Sequence, residues 1–537
     1  MQTLRRTVAL LTFPAIAYLG AACERMDTPT GVPPKLVMQT YGPPDLIVDD
    51  DHAQCTTATF TTIQAAINAA SPGNVILVCA GTYPELPSGG LLTVTKTLTL
   101  LGAQNTVDAR GARGPESVIT ATRGTSVSAS NVIIDGFTVE NSIATAFTGY
   151  GIWLNPGISG TQILNNIIQD NIVGIGLANS GVSQGLIQHN LIQNNNVPGP
   201  ASGTGIYTDQ FVGGTVKDVL IKENAFKGND DAGIDVSNTN PAGGVFGLDV
   251  STNSFDMNGR GVLLFNTHMS TIHDNSITNS TFVGSAAIRL FDNNSDLSVL
   301  NNDLMTGAGH AIRLSIGAGL PLMSPTPSKS VVIHENNIGV VGFTSFALDG
   351  LLVDPMSHVG TVNAECNWWG SATGPTDPIN NPSGMGEEVV GDADYKPWLT
   401  APTPGELCIG GVPSGKVTGG GQVQVNITGG KGTFGFNAKN EAGVGGSGHL
   451  NYLNHVTGAH LDCTVTLVTM LTSTTAEFSG PCSANSAASS FKAHVEDHGN
   501  PGKGNDVFKI TYTDQLGPHV DEGGPGPIIS GNIVIHQ

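Results

Sequence analysis

Short runs of alternating apolar and polar residues recur along most of the chain, and seven of them are centred on an asparagine. Each copy follows the pattern Ile/Val-x-x-Asn-x-Ile/Leu/Phe. The central residues are Asn166, Asn190, Asn224, Asn253, Asn275, Asn302 and Asn336, spaced 22 to 34 residues apart. Alternation over such short runs predicts strands. A strand unit that returns at variable spacing predicts a solenoid of stacked coils joined by loops of different lengths.

A second strand, with the pattern Gly/Ala-Ile/Val-x-Leu/Val/Thr, accompanies most copies. It begins at Gly151, Gly174, Gly205, Gly233, Gly261, Ala287 and Ala311. Because successive side chains on a strand point to opposite faces, the apolar residues face the core and residue x faces outward on every coil. We expect the repeated asparagines to stack inside the coils and to satisfy their amides from coil to coil. The fold class predicted is all-β, a parallel β-helix followed by a smaller domain.

The start of the solenoid is predicted to be covered by a helix. Residues 61–70 form an amphipathic pattern with a threonine N-cap at 61 or 62, and Pro72-Gly73 follows its end. Its apolar face would cover the open end of the core. Residues 74–83 are predicted to form the first strand and its turn.

With these features the chain resembles the pectin-lyase-like right-handed parallel β-helix family. The segment 61–70 together with Gly81-Thr82-Tyr83 is similar to the start of many secreted members. Asn367-Trp368-Trp369-Gly370 is similar to the segment that closes their last coil. The resemblance implies a right-handed β-helix over residues 51–400.

Beyond a Pro- and Gly-rich linker at 401–415, the solenoid pattern stops. The later runs of alternating residues are 432–436, 464–468 and 507–512. Turn signals separate them, so residues 416–537 are predicted to form a β-sandwich. Its Lys416–Gly421 start and Gly531–His536 end resemble the post-COAP type accessory domain of bacterial surface proteins, which implies architecture but no chemistry.

The N-terminus carries signals of export. A basic start and a short apolar run lead into Gly20-Ala21-Ala22-Cys23, so residues 1–22 are predicted to be a signal peptide. Cys23 after small residues resembles the lipobox of bacterial lipoproteins, in which that cysteine is lipidated; a plain signal peptide with an incidental cysteine is the alternative. The residue after this cysteine is Glu24 rather than an aspartate, so the resemblance to bacterial lipoproteins implies the outer membrane. We expect an outer-membrane lipoprotein or a secreted protein of the bacterial cell envelope, with residues 23–50 as a flexible linker.

Seven cysteines are an odd number for an exported protein. Lipidation of Cys23 leaves six, and we expect neighbours in the sequence to pair. The predicted disulfides are Cys55–Cys79, Cys366–Cys408 and Cys463–Cys482. Six cysteines allow many other pairings, so this choice rests on closeness in the sequence alone. Disulfides fit an oxidising compartment.

Composition and charge limit the kinds of molecule that the protein is expected to bind. Charged residues make up 12% of the 537 residues, Gly accounts for 71, and the formal charge is −21. A chain this acidic is a poor nucleic-acid binder, because phosphates are neutralised by clustered Lys and Arg. We expect a monomer that meets a membrane only through a lipid anchor.

The outward positions of the second strand provide the candidate site. Position x carries Trp153, Gly176, Tyr207, Asp235, Leu263, Arg289 and Arg313 on successive coils. The position two residues later carries Asn155, Ala178, Asp209, Ser237, Phe265, Phe291 and Ser315. Coils are about 4.8 Å apart, so side chains from neighbouring coils form one surface. The candidate catalytic residues are Asp209, Asp235, Arg289 and Arg313, and the candidate substrate-binding residues are Tyr207, Phe265 and Phe291.

These residue types suit an acidic polysaccharide. Arg pairs with carboxylates in a bidentate manner, and aromatic rings can stack on sugar rings. A lyase needs a base for the proton beside the uronate, whereas a hydrolase needs two carboxylates at a defined separation. The alternative is structural, because exposed strand residues are commonly polar and Asp235 could merely balance nearby Arg side chains.

Two hypotheses of function follow. The first is a surface protein that binds polysaccharide and processes it as a lyase or hydrolase, and the second is a non-catalytic interaction scaffold. The Gln-Asp-Thr and Asp-Phe-Ile-Phe-Gly motifs of pectin methylesterases are absent, which argues against that activity. A third idea rests on similarity to periplasmic β-helix proteins linked to copper-enzyme maturation, but the chain lacks a Cys/Met/His cluster for copper.

The sequence assigns no metal site and no cofactor, and Ca²⁺ is the ion that remains open. Asp49-Asp50-Asp51 offers oxygen ligands that Ca²⁺ prefers, although three acids in a linker are more often simply solvated. Asp230-Asp231 is predicted to be a solvated turn before the strand at Gly233.

Overall fold

The computed structural model describes residues 41–86, 89–145, 149–239, 243–317, 325–339, 345–403, 415–425, 430–441, 444–472, 474–483, 490–514, 517–522 and 527–536. The predicted signal peptide, Cys23, Cys408 and most of both predicted linkers lie outside these residues. No helix in the described ranges combines the length and the apolar character needed to span a membrane.

The first part of the chain winds into coils whose strands form three parallel sheets, as the repeat predicts. Among the described residues, sheet A has the 13 strands Leu46–Val48, Val75–Val78, Thr99–Leu101, Ile133–Asp135, Gln162–Leu164, Gly185–Gln188, Val216–Lys222, Val245–Ser251, Thr267–His273, Ser295–Leu300, Lys329–His334, Val362–Asn363 and Ala393–Asp394. Sheet B has the 10 described strands Gly81–Tyr83, Ser117–Ile119, Phe137–Val139, Ile167–Gln169, Leu191–Gln193, Ala225–Lys227, Ser254–Asp256, Ser276–Thr278, Asp303–Leu304 and Asn337–Ile338. Sheet C has the 12 described strands Leu92–Val94, Thr125–Val127, Tyr150–Leu154, Val173–Gly176, Thr204–Thr208, Ala232–Ser237, Arg260–Phe265, Ala286–Phe291, His310–Ser315, Leu351–Val353, Pro375–Thr376 and Gly386–Val390.

Each full coil runs through sheets A, B and C in turn, and the same position of each coil stacks on the next. On sheet A, Ile163 pairs with Ile134 on one side and with Ile187 on the other. These side chains are at most 1% exposed. On sheet B, the rings of Phe226 and Phe255 stack with centroids 4.7 Å apart. The core is therefore a continuous column of apolar side chains, each buried by the coils above and below it.

The predicted asparagine ladder is present between sheets A and B, and it extends to Asn367. A typical member, Asn224, donates its Nδ2 to the carbonyl of Ile187 at 2.9 Å and to Oδ1 of Asn253 at 3.0 Å. Its own Oδ1 accepts the backbone N–H of Asn190 at 3.0 Å. Each buried amide thus pairs with the backbone and with the next coil, which satisfies polar groups that water cannot reach.

A second ladder, which the sequence analysis did not identify, lies between sheets B and C. Its members are Asn171, Asn195, Asn229 and Asn258, joined by the same amide-to-amide bonds. Each follows an asparagine of the first ladder by five residues, a constant offset that is visible in the sequence. Ser280 stands at the corresponding position of the next coil, and the ladder has no further asparagine there.

The predicted covering helix spans Ile63–Ala69, and Thr62 is its N-cap. Ile63, Ala66 and Ile67 on its inner face belong to the β-helix core. Glu85 accepts the backbone N–H of Ile63 at 2.8 Å, and Lys96 donates its Nζ to the carbonyls of residues 67, 68 and 70 at 3.0, 2.9 and 2.7 Å. A carboxylate and an ammonium therefore hold opposite ends of a helix too short to be stable alone.

Replacing Lys96 with methionine, which keeps most of the aliphatic stem, should lower the unfolding free energy of the β-helix by about 1–2 kcal/mol. Three carbonyl acceptors at the helix end lose their donor. Urea unfolding followed by tryptophan fluorescence measures this, because all four tryptophans lie between residues 153 and 398. Lys227→Met on an exposed position of sheet B is the control, and equal loss in both variants would contradict the cap.

The β-helix begins earlier than the sequence analysis placed it. Leu46–Val48, within the segment expected to be a flexible linker, pairs in parallel with Val75–Val78. The strand at Val75–Val78 is therefore the second one. Val48 is fully buried, and Asp45 accepts the backbone N–H of Val75 at 2.8 Å. A three-residue apolar run is too short for periodicity to detect, but its last residue, Val48, belongs to the β-helix core.

The C-terminal part is the predicted all-β domain, with two antiparallel sheets packed on a common core. In sheet order, the first contains His460–Val465, Val444–Asn454, Gly430–Glu441, Gly415–Val425 and Ser530–His536. The second contains Leu467–Thr472, Thr475–Pro481, Ser490–Glu496, Val507–Asp514 and Gly517–Glu522. The run 464–468, predicted as one strand, is divided at Thr466, because the chain there leaves one sheet for the other.

The disulfides agree with the predicted pairing where the described residues allow a test. Cys55 is bonded to Cys79, and Cys463 is bonded to Cys482. Cys366 is also disulfide-bonded, while its predicted partner lies outside the described residues. Each observed bridge closes a short loop, one at the start of the β-helix and one between the sheets of the C-terminal domain.

Candidate functional site

The outer face of sheet C carries the predicted row of outward residues in the predicted register. The strand pairs are Trp153 with Gly176, Gly176 with Tyr207, Tyr207 with Asp235, Asp235 with Leu263, Leu263 with Arg289, and Arg289 with Arg313. The inward apolar residues on either side of each position force this alternation. One straight row of side chains therefore runs along the solenoid axis, one residue per coil.

The carboxylate of Asp209 is occupied by hydrogen bonds to the loop that follows its strand and to Tyr207. Its Oδ1 accepts the backbone N–H groups of Phe211 and Val212 at 2.8 and 2.7 Å, which shapes the turn after the strand. Its Oδ2 accepts the hydroxyl of Tyr207 at 3.0 Å. Burial, followed by the charges of Asp209 and Asp235, raises the pKa of Tyr207, so this phenol stays protonated. Tyr207 and Asp209 thus form a hydrogen-bonded pair at one side of the row.

Asp235 is the carboxyl most removed from water among the seven candidate residues, with 8% of its surface exposed. Ser237 donates its hydroxyl to Oδ1 of Asp235. Burial raises the pKa of Asp235 to about 6, although the Ser237 hydrogen bond and the charge of Arg260 oppose the rise. A carboxyl that titrates near neutral pH can both donate and accept a proton.

Arg289 lies two coils from Asp235, with the side chain of Leu263 between them. Its Nε donates to the hydroxyl of Ser315 at 3.1 Å, and its guanidinium carbon lies 5.0 Å from the centre of the Phe291 ring. Within the described ranges no carboxylate oxygen lies within 4.0 Å of it. Burial, and then the charges of Arg313 and Arg260, lower its pKa. Among the described residues, Arg289 is therefore a crowded cation with no carboxylate in direct contact.

Two other arginines around Arg289 have carboxylate partners. Arg313 donates to Oδ2 of Asp354 through Nε at 3.1 Å and Nη2 at 2.8 Å. Arg260, at the start of its strand, binds Asp231 through Nη1 and Ser285 through Nε at 2.8 Å. The sequence analysis missed Arg260, Asp231 and Asp354. It placed Asp231 in a solvated turn, whereas the carboxylate forms an ion pair across one coil.

The aromatic candidates differ in their access to a ligand. Phe291 is half-buried beneath Arg289, and its ring meets the Phe265 ring edge-on with centroids 5.4 Å apart. Phe265 is only 2% exposed, so its face is not available to a sugar in this conformation. Phe282, which the sequence analysis did not select, is 43% exposed and lies over Arg260 at 4.4 Å. Of these three rings, Phe282 therefore offers the most exposed surface to a ligand.

The three acids proposed for calcium lie far earlier in the chain, and each accepts a backbone N–H group. Carboxylate oxygens of Asp49, Asp50 and Asp51 lie within 4.8 Å of one another. Asp49 accepts the backbone N–H of Gln54 at 3.0 Å, Asp50 that of Thr82 at 2.9 Å, and Asp51 that of Ala53 at 2.8 Å. These hydrogen bonds give each of the three carboxylates a structural role in the backbone.

A family comparison agrees with the fold. Residues 201–345 match the family model described as the right handed beta helix region. This stretch contains the sheet C strands from Thr204–Thr208 to His310–Ser315, which carry the site. The chain therefore contains a right-handed parallel β-helix, as its resemblance implied. A search of curated protein sequences finds no match.

Solved structures with a similar course of the chain include three enzymes. An alginate lyase from a Paenibacillus strain has 13% identity and a TM-score of 0.36 over 62% of this chain and 96% of its own. The A-module of an Azotobacter vinelandii mannuronan C-5 epimerase has 13% identity and a TM-score of 0.34 over 64% and 95%. A carrot pectin methylesterase has 15% identity and a TM-score of 0.33 over 55% and 91%. At these identities the likeness concerns the fold alone.

Proposed function

We propose that the outer face of sheet C binds an acidic polysaccharide, and that Arg289 holds a uronate carboxylate. The observation that carries this proposal is the uneven pairing of the three arginines. Arg260 and Arg313 each have a carboxylate partner, whereas Arg289 has none within 4.0 Å among the described residues. A partly desolvated guanidinium between two like charges gains most from an incoming anion.

The geometry around Arg289 supports recognition of a planar anion. Ser315 and the Phe291 ring hold the guanidinium in one orientation, so little side-chain entropy is lost when a carboxylate binds. The polysaccharide chain would lie along the solenoid axis, where one outward side chain follows another at about 4.8 Å. Such a local site is needed because a net charge of −21 repels polyanions from the protein as a whole.

Processing of the bound polysaccharide is the second candidate function, and Asp235 favours it. Two coils separate Asp235 from Arg289, or about 10 Å, so a uronate held at Arg289 brings a neighbouring sugar to Asp235. A carboxyl with a pKa of about 6 suits proton transfer at neutral pH. With Tyr207 on the next coil, Asp235 would serve as the acid or base of a lyase or hydrolase.

Replacing Arg289 with alanine should raise the Kd for polygalacturonate and for alginate by about tenfold at low ionic strength. Arg289→Lys should recover part of the affinity, because the charge remains but the bidentate geometry is lost. Isothermal titration calorimetry measures both. The matched control is Arg110→Ala, since Arg110 pairs with Asp108 on a loop outside sheet C. Unchanged affinity of Arg289→Ala for both polymers would refute the proposal.

Catalysis is tested separately with the same polymers. Unsaturated products, followed by ultraviolet absorbance, report a lyase, and new reducing ends report cleavage of either kind. If the protein is an enzyme, Asp235→Asn should lose turnover and keep its Kd. Binding without turnover in the unaltered protein would instead support the non-catalytic scaffold, in which Arg289 is a recognition residue only.

Placement in the bacterial cell envelope is also part of the proposal. It rests on the N-terminal export signals. In the first form of the proposal Cys23 is lipidated and anchors the protein, and in the alternative the protein is secreted without an anchor. Globomycin-sensitive processing in a bacterial host, lost in Cys23→Ser, is the expected result for a lipoprotein.

A further inference from the structure

A hollow opens at the N-terminal end of sheet C, well away from Arg289. It is lined by Leu91, Arg123, Thr125, Ser126, Tyr150 and Trp153, and it encloses about 270 Å³ including its open mouth. Thr125–Val127 and Tyr150–Leu154 are adjacent strands of sheet C, so the hollow lies on the same outer face as the candidate site. Of its lining residues, the sequence analysis placed only Trp153 in the outward row.

Two aromatic side chains form a platform on one side of this hollow. The rings of Tyr150 and Trp153 are stacked with centroids 6.1 Å apart and planes 30° apart. Both extend over Gly176 on the next coil, where a Cβ atom would lie 3.0 Å from each ring. Trp153 also donates its Nε1 to the carbonyl of Val212 at 3.4 Å. The missing side chain at Gly176 thus allows the platform to lie along the sheet.

The polar groups of the hollow have capacity for a ligand. The guanidinium of Arg123 is exposed, and within the described part of the chain no carboxylate oxygen lies within 4.0 Å of it. Thr125 pairs in register with Leu92 and Ile152, which are both fully buried, so its side chain faces the core and Ser126 is the outward residue of this strand. Ser126 accepts the Nδ2 of Asn155 at 2.9 Å.

From this arrangement we infer a second saccharide subsite, in which Trp153 stacks on one sugar ring and Arg123 binds that sugar's carboxylate. The inference rests on the proposed function, because it assigns the hollow to the same acidic polysaccharide. Trp153 is five coils from Arg289 along the row, or about 24 Å. An extended sugar chain advances by about one unit per coil, so a ligand of about six units is needed to occupy both subsites.

The affinity of the protein should therefore depend on the length of the ligand. We expect an oligogalacturonate of about eight units to bind the protein about tenfold more tightly than one of about three units. Trp153→Ala and Arg123→Ala should each remove most of that gain for the long ligand. Neither should change the Kd of the short ligand, which requires Arg289. Calorimetry with both ligands and circular dichroism of each variant provide the measurements.

Arg123→Ala keeps the test valid even if loss of Trp153 disturbs the fold, since Arg123 is exposed and lies outside the core. Gly176→Val is a further variant. It removes none of the ligand-binding side chains, but the added side chain displaces the rings of Tyr150 and Trp153. It should reduce the length-dependent gain as Trp153→Ala does.

The outcomes separate this subsite from the proposed function. If the long ligand binds no better than the short one, or if Arg123→Ala and Trp153→Ala keep the full gain, the subsite is refuted while binding at Arg289 stands. If Arg289→Ala leaves the Kd of both ligands unchanged, or if the unaltered protein binds neither, the proposed function is refuted, and the subsite with it.

Discussion

Replacing Asn253 with alanine should lower the unfolding free energy of the β-helix by about 3 kcal/mol. The Nδ2 of Asn253 donates to the carbonyl of Ile221 at 2.8 Å and to Asn275 at 3.0 Å. Its Oδ1 accepts both the backbone N–H and the Nδ2 of Asn224, at 2.9 and 3.0 Å. The substitution leaves these groups unpaired where water does not reach, and interrupts the ladder in the middle of the stack.

Urea unfolding followed by tryptophan fluorescence isolates this effect, since the C-terminal domain contains no tryptophan. Asn68→Ala is the matched control, because Asn68 is exposed on the covering helix and alanine is a good helix former. We expect the control to change stability by less than about 0.5 kcal/mol. A loss below about 1 kcal/mol in Asn253→Ala would show that the ladder bonds contribute little beyond those lost to water on folding.

Replacing Asp235 with asparagine should stabilise the β-helix by roughly 2–3 kcal/mol at pH 8. Asparagine has nearly the same shape, keeps an oxygen for the Ser237 hydroxyl and carries no charge. In the folded protein burial raises the pKa of Asp235 to about 6 from an ordinary value of 3.8. The folded state therefore holds its proton more tightly than the unfolded state, and ionisation above pH 6 opposes folding.

The pH dependence fixes the sign of this prediction. Below about pH 3, which lies under both the unfolded and the folded pKa, Asp235 is protonated in both states, and the variant and the unaltered protein should be equally stable. The contribution of the protonated carboxyl is then lost as the pH rises through about 6, so the advantage of the variant should grow over this range. Asp230→Asn, at an exposed carboxylate of the neighbouring turn, is the control. If Asp235→Asn were less stable at pH 8, the carboxylate would have a favourable role in the fold.

A side chain that costs stability at neutral pH needs another reason to be present. Groups with strongly shifted pKa values are common at functional sites, and sites of this kind often reduce stability. A stable Asp235→Asn variant that no longer processes polysaccharide would join the two observations. A stable variant with unchanged function would assign Asp235 to the structure alone.

Local patterning accounts for the parts of the fold that the sequence predicted. The Ile/Val-x-x-Asn motif, the covering helix and the outward row all depend on residues within one coil and on their repetition in the next. A parallel stack places equal positions above one another, so one correctly read coil determines the register of the rest. The second ladder could have been read in the same way, from the offset of five residues between Asn224 and Asn229.

Details that depend on loops were not predictable in this way. Periodicity identifies Arg289 and Arg313 as equivalent outward residues, yet their surroundings differ. Asp354, 41 residues after Arg313, directly follows the sheet C strand of the next coil, and only the full turn of the chain between them brings the two together. Similarly, backbone N–H groups in the turn after Thr204–Thr208 donate to the carboxylate of Asp209. The Phe265 ring is buried against Phe291. Alternation states which way a side chain points, but not what covers or neutralises it.

The low charge, the repeat and the cysteine spacing by themselves determined the class of architecture, its core, its register and the observed disulfides. They also selected the face that carries the candidate site. Only the tertiary structure decided which charged groups on that face pair with one another: among the described residues Arg260 and Arg313 each contact a carboxylate and Arg289 does not, and burial raises the pKa of Asp235. The physical reason is range: stacking repeats a local rule, whereas ion pairing and desolvation depend on groups brought together from distant coils and loops.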